Sequence, residues 1–145
     1  MYFQRIKDVR KPSTRKGDAG IDFYIPFDFN DGDLYVIKPH EDVNIPLGVC
    51  VHLPPQTALL ACNKSGIATK KKLINGAQLV DPNYTGEIHA HMINTSNEEQ
   101  TIIPGQKITQ FILIPYISTE LKETILEDRK TNRGKGCFGS TGLGI

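Results

Sequence analysis

The stretch NIPLGVCVHLP, residues 44–54, decides the class of fold. Ile45, Leu47, Val49, Val51 and Leu53 recur at every second position, so an extended chain puts all five on one face. The same period governs EIHAHMIN at 87–94, where Ile88, Ala90 and Met92 align. KITQFILIPYI at 107–117 is apolar on both faces and predicts a buried strand. Between these runs lie FNDGD, KPHED, LPPQ, NTSNEEQ and IPGQ, all rich in turn-forming residues. Short alternating segments with such punctuation predict an all-β sandwich, jelly roll or barrel.

Two segments have helical character. SGIATKKKLI (65–74) is short. STELKETILEDRK (118–130) is rich in helix formers and sets Leu121 and Ile125 at i, i+4, so propensity predicts a helix there.

The 145 residues suit one domain with a core of its own. Seventeen Lys and Arg oppose sixteen Asp and Glu, a net charge of +1, which disfavours a polymeric nucleic acid as partner. No apolar run is long enough to span a bilayer, and MYFQRIKDVRK lacks the apolar segment of a secretion signal. A soluble, cytoplasmic protein is expected. Cys50, Cys62 and Cys137 are odd in number and widely spaced, which predicts reduced thiols, with Cys50 and Cys62 as small core residues.

Several stretches carry chemistry. In NKSGIATK (63–70), Lys64 can meet a phosphate, Ser65 can donate a hydrogen bond, and backbone N–H groups around Gly66 can face an anion. A solvated turn is the plain alternative. In NGAQLVDPNYTGEIHAHMIN (75–94), Asp81 and Tyr84 flank a Pro-Asn turn, which predicts a β-hairpin with a carboxylate and an aromatic at its mouth. His89 and His91 share a strand face but have no third ligand at metal-binding spacing, so a solvent-facing or interface pair is expected. KKK at 70–72 reads as solvated surface. The final stretch, RGKGCFGSTGLGI, combines Arg133, a fork for phosphate, with Phe138, a flat face for a base, among flexible glycines and the hydroxyls of Ser140 and Thr141.

Taken in order, five of these stretches resemble the trimeric dUTP pyrophosphatase (dUTPase) family. They are DAGIDFYIP (18–26), NKSGIA (63–68), the segment 75–94 with its D-x-x-Y-x-G-E core, PGQKITQFIL (104–113) and TNRGKGCFGSTG (131–142). The resemblance implies a distorted jelly-roll β-domain over 1–130 and a Gly-rich C-terminal lid over 131–145. It implies a homotrimer with exchanged C-terminal arms, whose three active sites lie between subunits. It also favours an extended 119–129 that crosses to a neighbour, against the propensity for helix.

By the same resemblance, the reaction is Mg²⁺-dependent hydrolysis of dUTP to dUMP and pyrophosphate, which limits uracil incorporation into DNA. Asp81 would orient and help deprotonate the water that attacks the α-phosphorus. Lys64, Ser65 and Gly66 would hold phosphates, Gln110 would bind the phosphate region or its metal-bound water, and Asp22 would touch Mg²⁺ through water. The backbone at Leu79, Val80 and His89, with the Asn75 amide, would read the uracil edge. Tyr84 would pack under the deoxyribose. Phe138 would cover the base, with Arg133, Gly139 and Ser140 closing on the phosphates. Three positions depart from the family pattern: Lys64 for Arg, Gln78 for Gly and Cys137 for Gly. A deoxycytidine nucleotide deaminase of the same superfamily and a dUTP-sensing regulator are the competing readings. A virus-encoded protein of this kind would work in the host cytoplasm.

Overall fold

The structure, a computed structural model, describes residues 1–126. Its strands are β1 (Tyr2–Arg5), β2 (Ile21–Tyr24), β3 (Tyr35–Ile37), β4 (Asp42–His52), β5 (Thr57–Cys62), β6 (Leu73–Asn75), β7 (Leu79–Val80), β8 (Glu87–Asn94), β9 (Gln100–Ile102) and β10 (Lys107–Pro115). One helix, α1 (Ser65–Lys71), separates β5 from β6. Two four-stranded sheets run in the orders β1-β4-β8-β6 and β2-β10-β5-β7, and β3 pairs with β9. Every ladder is antiparallel. The sheets share one core, in which Phe23 and Phe111 meet edge to face with centroids 4.9 Å apart. This is the sandwich, jelly-roll-like in character, that the alternation predicts.

The face assigned to residues 44–54 is buried throughout, from Ile45 to Leu53. It survives a break in register: β4 advances from Pro46 to Cys50 while β8 retreats only from His89 to Glu87. An even number of extra residues leaves the side-chain parity intact, so the apolar face stays inward. Gly48 makes the break with φ +66°, and a Cβ there would lie 2.9 Å from that of Lys7. Its N–H donates to Glu87 Oε1 at 2.7 Å, and Lys7 Nζ neutralises the same oxygen at 3.1 Å. Ile88, Ala90 and Met92 are likewise buried.

Four expectations are corrected. The segment 75–94 is not a hydrogen-bonded hairpin: β7 pairs with β5, whereas β8 pairs with β4 and β6. Its two arms belong to different sheets. β10 is buried only as far as Phe111; beyond Phe111↔Ile21 it loses β2 as a neighbour, and Leu113 emerges. Residues 116–126 form neither helix nor strand. Leu121 and Ile125 are more than nine-tenths exposed, so a helix there would have no apolar surface to pack on, and so short a helix is marginal alone. Cys50 and Cys62 are half-buried thiols rather than core residues, and Cys50 stands on the face of β4 opposite Val49 and Val51.

The buried Asn94 anchors the end of β8. Its Nδ2 lies 3.0, 3.0 and 2.8 Å from the carbonyls of Ile37, Lys38 and Glu98. Its Oδ1 accepts from Ser96 N–H at 2.9 Å and Ser96 Oγ at 2.8 Å. One amide thus satisfies backbone groups of two chain segments, 37–38 and 96–98. Asn94→Ala strands these buried groups and should lower stability by about 3 kcal/mol, read from urea unfolding at fixed protein concentration.

Candidate active site

Two clefts collect most of the sequence-predicted site residues among those described; Ser65, Gly66 and Asn75 line neither. The larger, about 680 Å³, lies between the loop 13–20 and the β2–β10 ladder, and contains Asp22, Lys64, Lys107 and Gln110. Gln110 stands directly across the ladder from Asp22, and its Nε2 donates to Asn63 O at 3.1 Å. Lys64 Nζ meets Asp22 Oδ1 at 2.8 Å, and Lys107 Nζ meets Oδ2 at 2.8 Å. Partial burial raises the Asp22 pKa, but the two lysines outweigh it with hydrogen bonds and charge, so the net value lies below the ordinary 3.8. The hydrogen bond to Asp22 in turn holds Lys107 above its ordinary 10.5. Two cations on one carboxylate leave a net positive charge facing the cleft, suited to a polyanion.

Lys107 lines this cleft beside Asp22, and sequence reasoning missed it. Strict alternation from Gln110 would send it inward with Thr109 or Phe111. The ladder instead slips by one residue: Lys107 opposes Tyr24 and Thr109 opposes Phe23. This bulge turns Lys107 onto the face of Asp22 and Gln110. Nothing in the local sequence marks it.

Lys64 is extended and immediately precedes α1. The N–H groups of Ile67 and Ala68 both return to its carbonyl. Ser65 and Gly66 follow, exposed, and as first-turn residues their N–H groups have no partner within the helix.

The smaller cleft, about 200 Å³, opens where β7 and β8 part, and is lined by Leu79, Val80, Asp81, Tyr84 and His89 with Phe111 at its base. Ala61 N–H donates to Gln78 O at 2.8 Å and Leu59 pairs with Val80, so Gln78 and Val80 turn their backbone groups toward β5. Alternation turns those of Leu79 away, into the cleft. On the other wall, Gly76 N–H donates to His91 O at 2.9 Å. The backbone groups of His89, two residues earlier, face the same side, beyond the end of β6. Two unpaired strand edges therefore oppose each other across the opening. Tyr84 Oη donates to Glu87 O at 2.8 Å, and Tyr84 N–H to Asp81 O at 3.1 Å, which closes the Pro82-Asn83 turn. Gln78 keeps an ordinary negative φ, so the replacement of glycine costs the backbone nothing here.

Asn75 does not line this cleft, contrary to expectation. It is buried, and its N–H and Nδ2 both donate to Asn63 Oδ1, at 2.7 and 3.1 Å, while its Oδ1 accepts from Thr109 Oγ1 at 2.9 Å. Inside the core the amide ties two sheets together. His91 has both ring nitrogens engaged, one by Asp42 and one by Ala77. Arg133, Phe138, Gly139 and Ser140 lie outside the described residues, as does Cys137.

The fit of a metal can be judged from the donors. Both Asp22 oxygens already hold a lysine, and the described residues contain no group of three or more His, Cys, Asp or Glu able to cage a cation. Such a site fits only a magnesium ion that arrives on a substrate and keeps its waters. No helix among the described residues is long and apolar enough to cross a membrane.

If the lysines set the ionisation of Asp22, its contribution to stability is complete above the ordinary carboxylate pKa and is lost as pH falls through the depressed folded-state value. Asp22→Asn should therefore be less stable than wild type at about pH 6, and the gap should close by about pH 2. A gap that persists undiminished in acid would contradict the ion-pair account.

The sequence and the fold have known counterparts. The family model of the dUTPases matches residues 8–142. A deoxyuridine 5'-triphosphate nucleotidohydrolase of Neisseria meningitidis serogroup A is 32% identical over 143 residues, covering 97% of this chain and 92% of that protein. The dUTPase of Staphylococcus bacteriophage 80alpha, solved with dUPNHPP, superposes with a TM-score of 0.84 at 22% identity, covering 98% of both chains. A mutant dUTPase of phage phi11 of S. aureus, described for the coordination of a structural Mg(II) ion, superposes with a TM-score of 0.72 at 21% identity, covering 85% of this chain and 95% of that one. With a family match across nearly its whole length, this chain belongs to the dUTPase family.

Proposed function

We propose that the protein hydrolyses dUTP to dUMP and pyrophosphate, with water attacking the α-phosphorus. The observation that carries this reading is the cleft between β7 and β8. It presents an acid, an aromatic ring and two unpaired strand edges within one small opening. The uracil edge pairs with the backbone groups of Leu79 and His89, while Val80 contributes its side chain to the wall. Cytosine reverses donor and acceptor at that edge and leaves buried groups unpaired, which gives strong discrimination. The narrow opening has no room for the 5-methyl of thymine. Tyr84, held by its bond to Glu87 O, packs under the sugar and excludes a ribose 2′-hydroxyl.

Asp81 orients the water and takes its proton. Such a base contributes about 10²–10⁴ in rate. Positioning and charge neutralisation supply most of the rest, as in phosphoryl transfer generally. Lys64, Lys107 and Gln110 serve the phosphates, with the exposed N–H groups of Ser65 and Gly66 beside them. Magnesium bound with the nucleotide would neutralise triphosphate charge, and Asp22 would hold it through water.

Among the described residues, none lines both clefts. This supports a site assembled between subunits of a homotrimer, the base held by one copy and the phosphates by another. Arg133, Phe138, Gly139 and Ser140 of the lid then cover the bound nucleotide. The setting that suits such an enzyme is the cytoplasm, or the host cytoplasm for a virus-encoded one.

Pyrophosphate release measured across the common nucleoside triphosphates and dUTP should be confined to dUTP. Asp81→Asn should lower kcat by about 10³-fold or more, within the range of a lost general base and misplaced water. The affinity of the same variant for a non-hydrolysable dUTP analogue should stay within about threefold. Normal turnover in that variant would remove Asp81 from its role. Deletion from Arg133 onward should preserve the oligomer and cripple catalysis; dissociation would make that segment structural instead.

A further inference from the structure

Between β6 and β7 the chain crosses from one sheet to the other. It leaves β6 at Asn75 and is paired with β5 by Gln78, whose carbonyl accepts from Ala61 N–H. Two residues, Gly76 and Ala77, span the gap, and both donate their N–H groups to a single residue of β8. Gly76 N–H reaches His91 O at 2.9 Å, and Ala77 N–H reaches His91 Nδ1 at 3.1 Å. The other ring nitrogen, Nε2, lies 2.9 Å from Asp42 Oδ2.

These contacts fix the tautomer. Nδ1 accepts a hydrogen bond, so it carries no proton, and Nε2–H donates to the carboxylate. Gly76 is shaped to the ring: a Cβ there would collide with Nδ1 and lie 2.6 Å from Cε1, although the backbone φ at this position is one any residue adopts. The imidazole, not the backbone, requires the glycine.

We propose that His91 is a positioning residue for the base-recognition cleft, and that its neutral form sets the path by which Leu79 reaches its place. This rests on the proposed function. A second proton on His91 must go to Nδ1, which then ceases to accept from Ala77. The bond to Asp42 survives or strengthens, so protonation leaves the ring in place and releases the crossing. Other titratable groups near the ring are few. β4 presents Asp42, with the uncharged Asn44 opposite His91. β6 and the crossing, residues 73–77, contain no ionisable side chain. On β8 the same face carries His89, whose Nδ1 bonds Glu87 O at 2.9 Å.

The test uses the full-length protein with ¹⁵N-labelled histidine, and kcat and KM for dUTP from about pH 8 to pH 5, the span of imidazole titration. Wild type should show His91 as the Nε2–H tautomer at the alkaline end, with KM rising as His91 takes its second proton. His91→Phe should raise KM about tenfold at alkaline pH, the worth of one hydrogen bond, with kcat within about threefold, and should lose the rise in acid. Gly76→Ala, which displaces the ring but keeps it titratable, should raise KM similarly. His91→Gln, whose Oε1 can accept from Ala77, should restore KM with a flat acid profile, which a merely structural role would not produce. A dominant Nδ1–H tautomer, or a wild-type KM and pH profile in His91→Phe, would overturn the proposal. Absence of dUTP turnover in wild type would refute the functional reading instead, while the tautomer would still report on His91.

Discussion

The buried amide of Asn75 is the constraint on which the rest of this fold turns. It joins β6 of one sheet to Asn63 and to Thr109 of the other. A polar side chain is costly inside a core unless its partners are supplied, and here donor and acceptor are both engaged. The hydrogen bonds are directional where the surrounding apolar packing is not. They therefore set how the two sheets lie against each other at the point where the chain crosses between them. The small cleft exists because β7 goes with one sheet and β8 with the other. Were the two paired as a hairpin, their inner edges would satisfy each other, and no backbone would remain to read a base.

The larger cleft rests on a different balance. Asp22, partly buried, would resist ionisation alone; Lys64 and Lys107 reverse that. The carboxylate in turn holds two ammonium groups near one another, which they would not adopt unaided. Such a cluster presents positive charge without flexible side chains ranging through solvent, so less ordering remains to be done when an anion arrives. Lysine in place of a family arginine at 64 fits this arrangement: a compact point charge can share a carboxylate with a second lysine, whereas a planar guanidinium would favour both oxygens for itself.

The sequence also carried a conflict that the structure resolves. STELKETILEDRK has helical propensity, yet its described part leaves Leu121, Ile125 and Leu126 largely exposed and without regular structure. Propensity contributes a few tenths of a kcal/mol per residue, and a short helix without an apolar surface to cover gains little else. The interior runs met the opposite circumstance. Ile45, Leu47 and Val49 keep their inward face even through the irregularity at Gly48, because burial on one side enforces parity.

By itself the sequence determined the strands within 44–54 and 87–94, their inward faces, and the ordered stretches that mark the family. Each is local: period two, turn residues and spacing are properties of neighbours along the chain. Asp81, Tyr84, Lys64 and Gln110 stood out as candidate site residues for the same reason, since each sits in a contiguous motif. Only the tertiary structure decided that β7 and β8 part company, that Asn75 turns inward, that a one-residue slip brings Lys107 to Asp22, and that His91 faces Ala77. All four depend on which strand lies beside which, and on register between segments tens of residues apart. Pairing across such distances is settled by the packing of the whole core, and no window of sequence contains it.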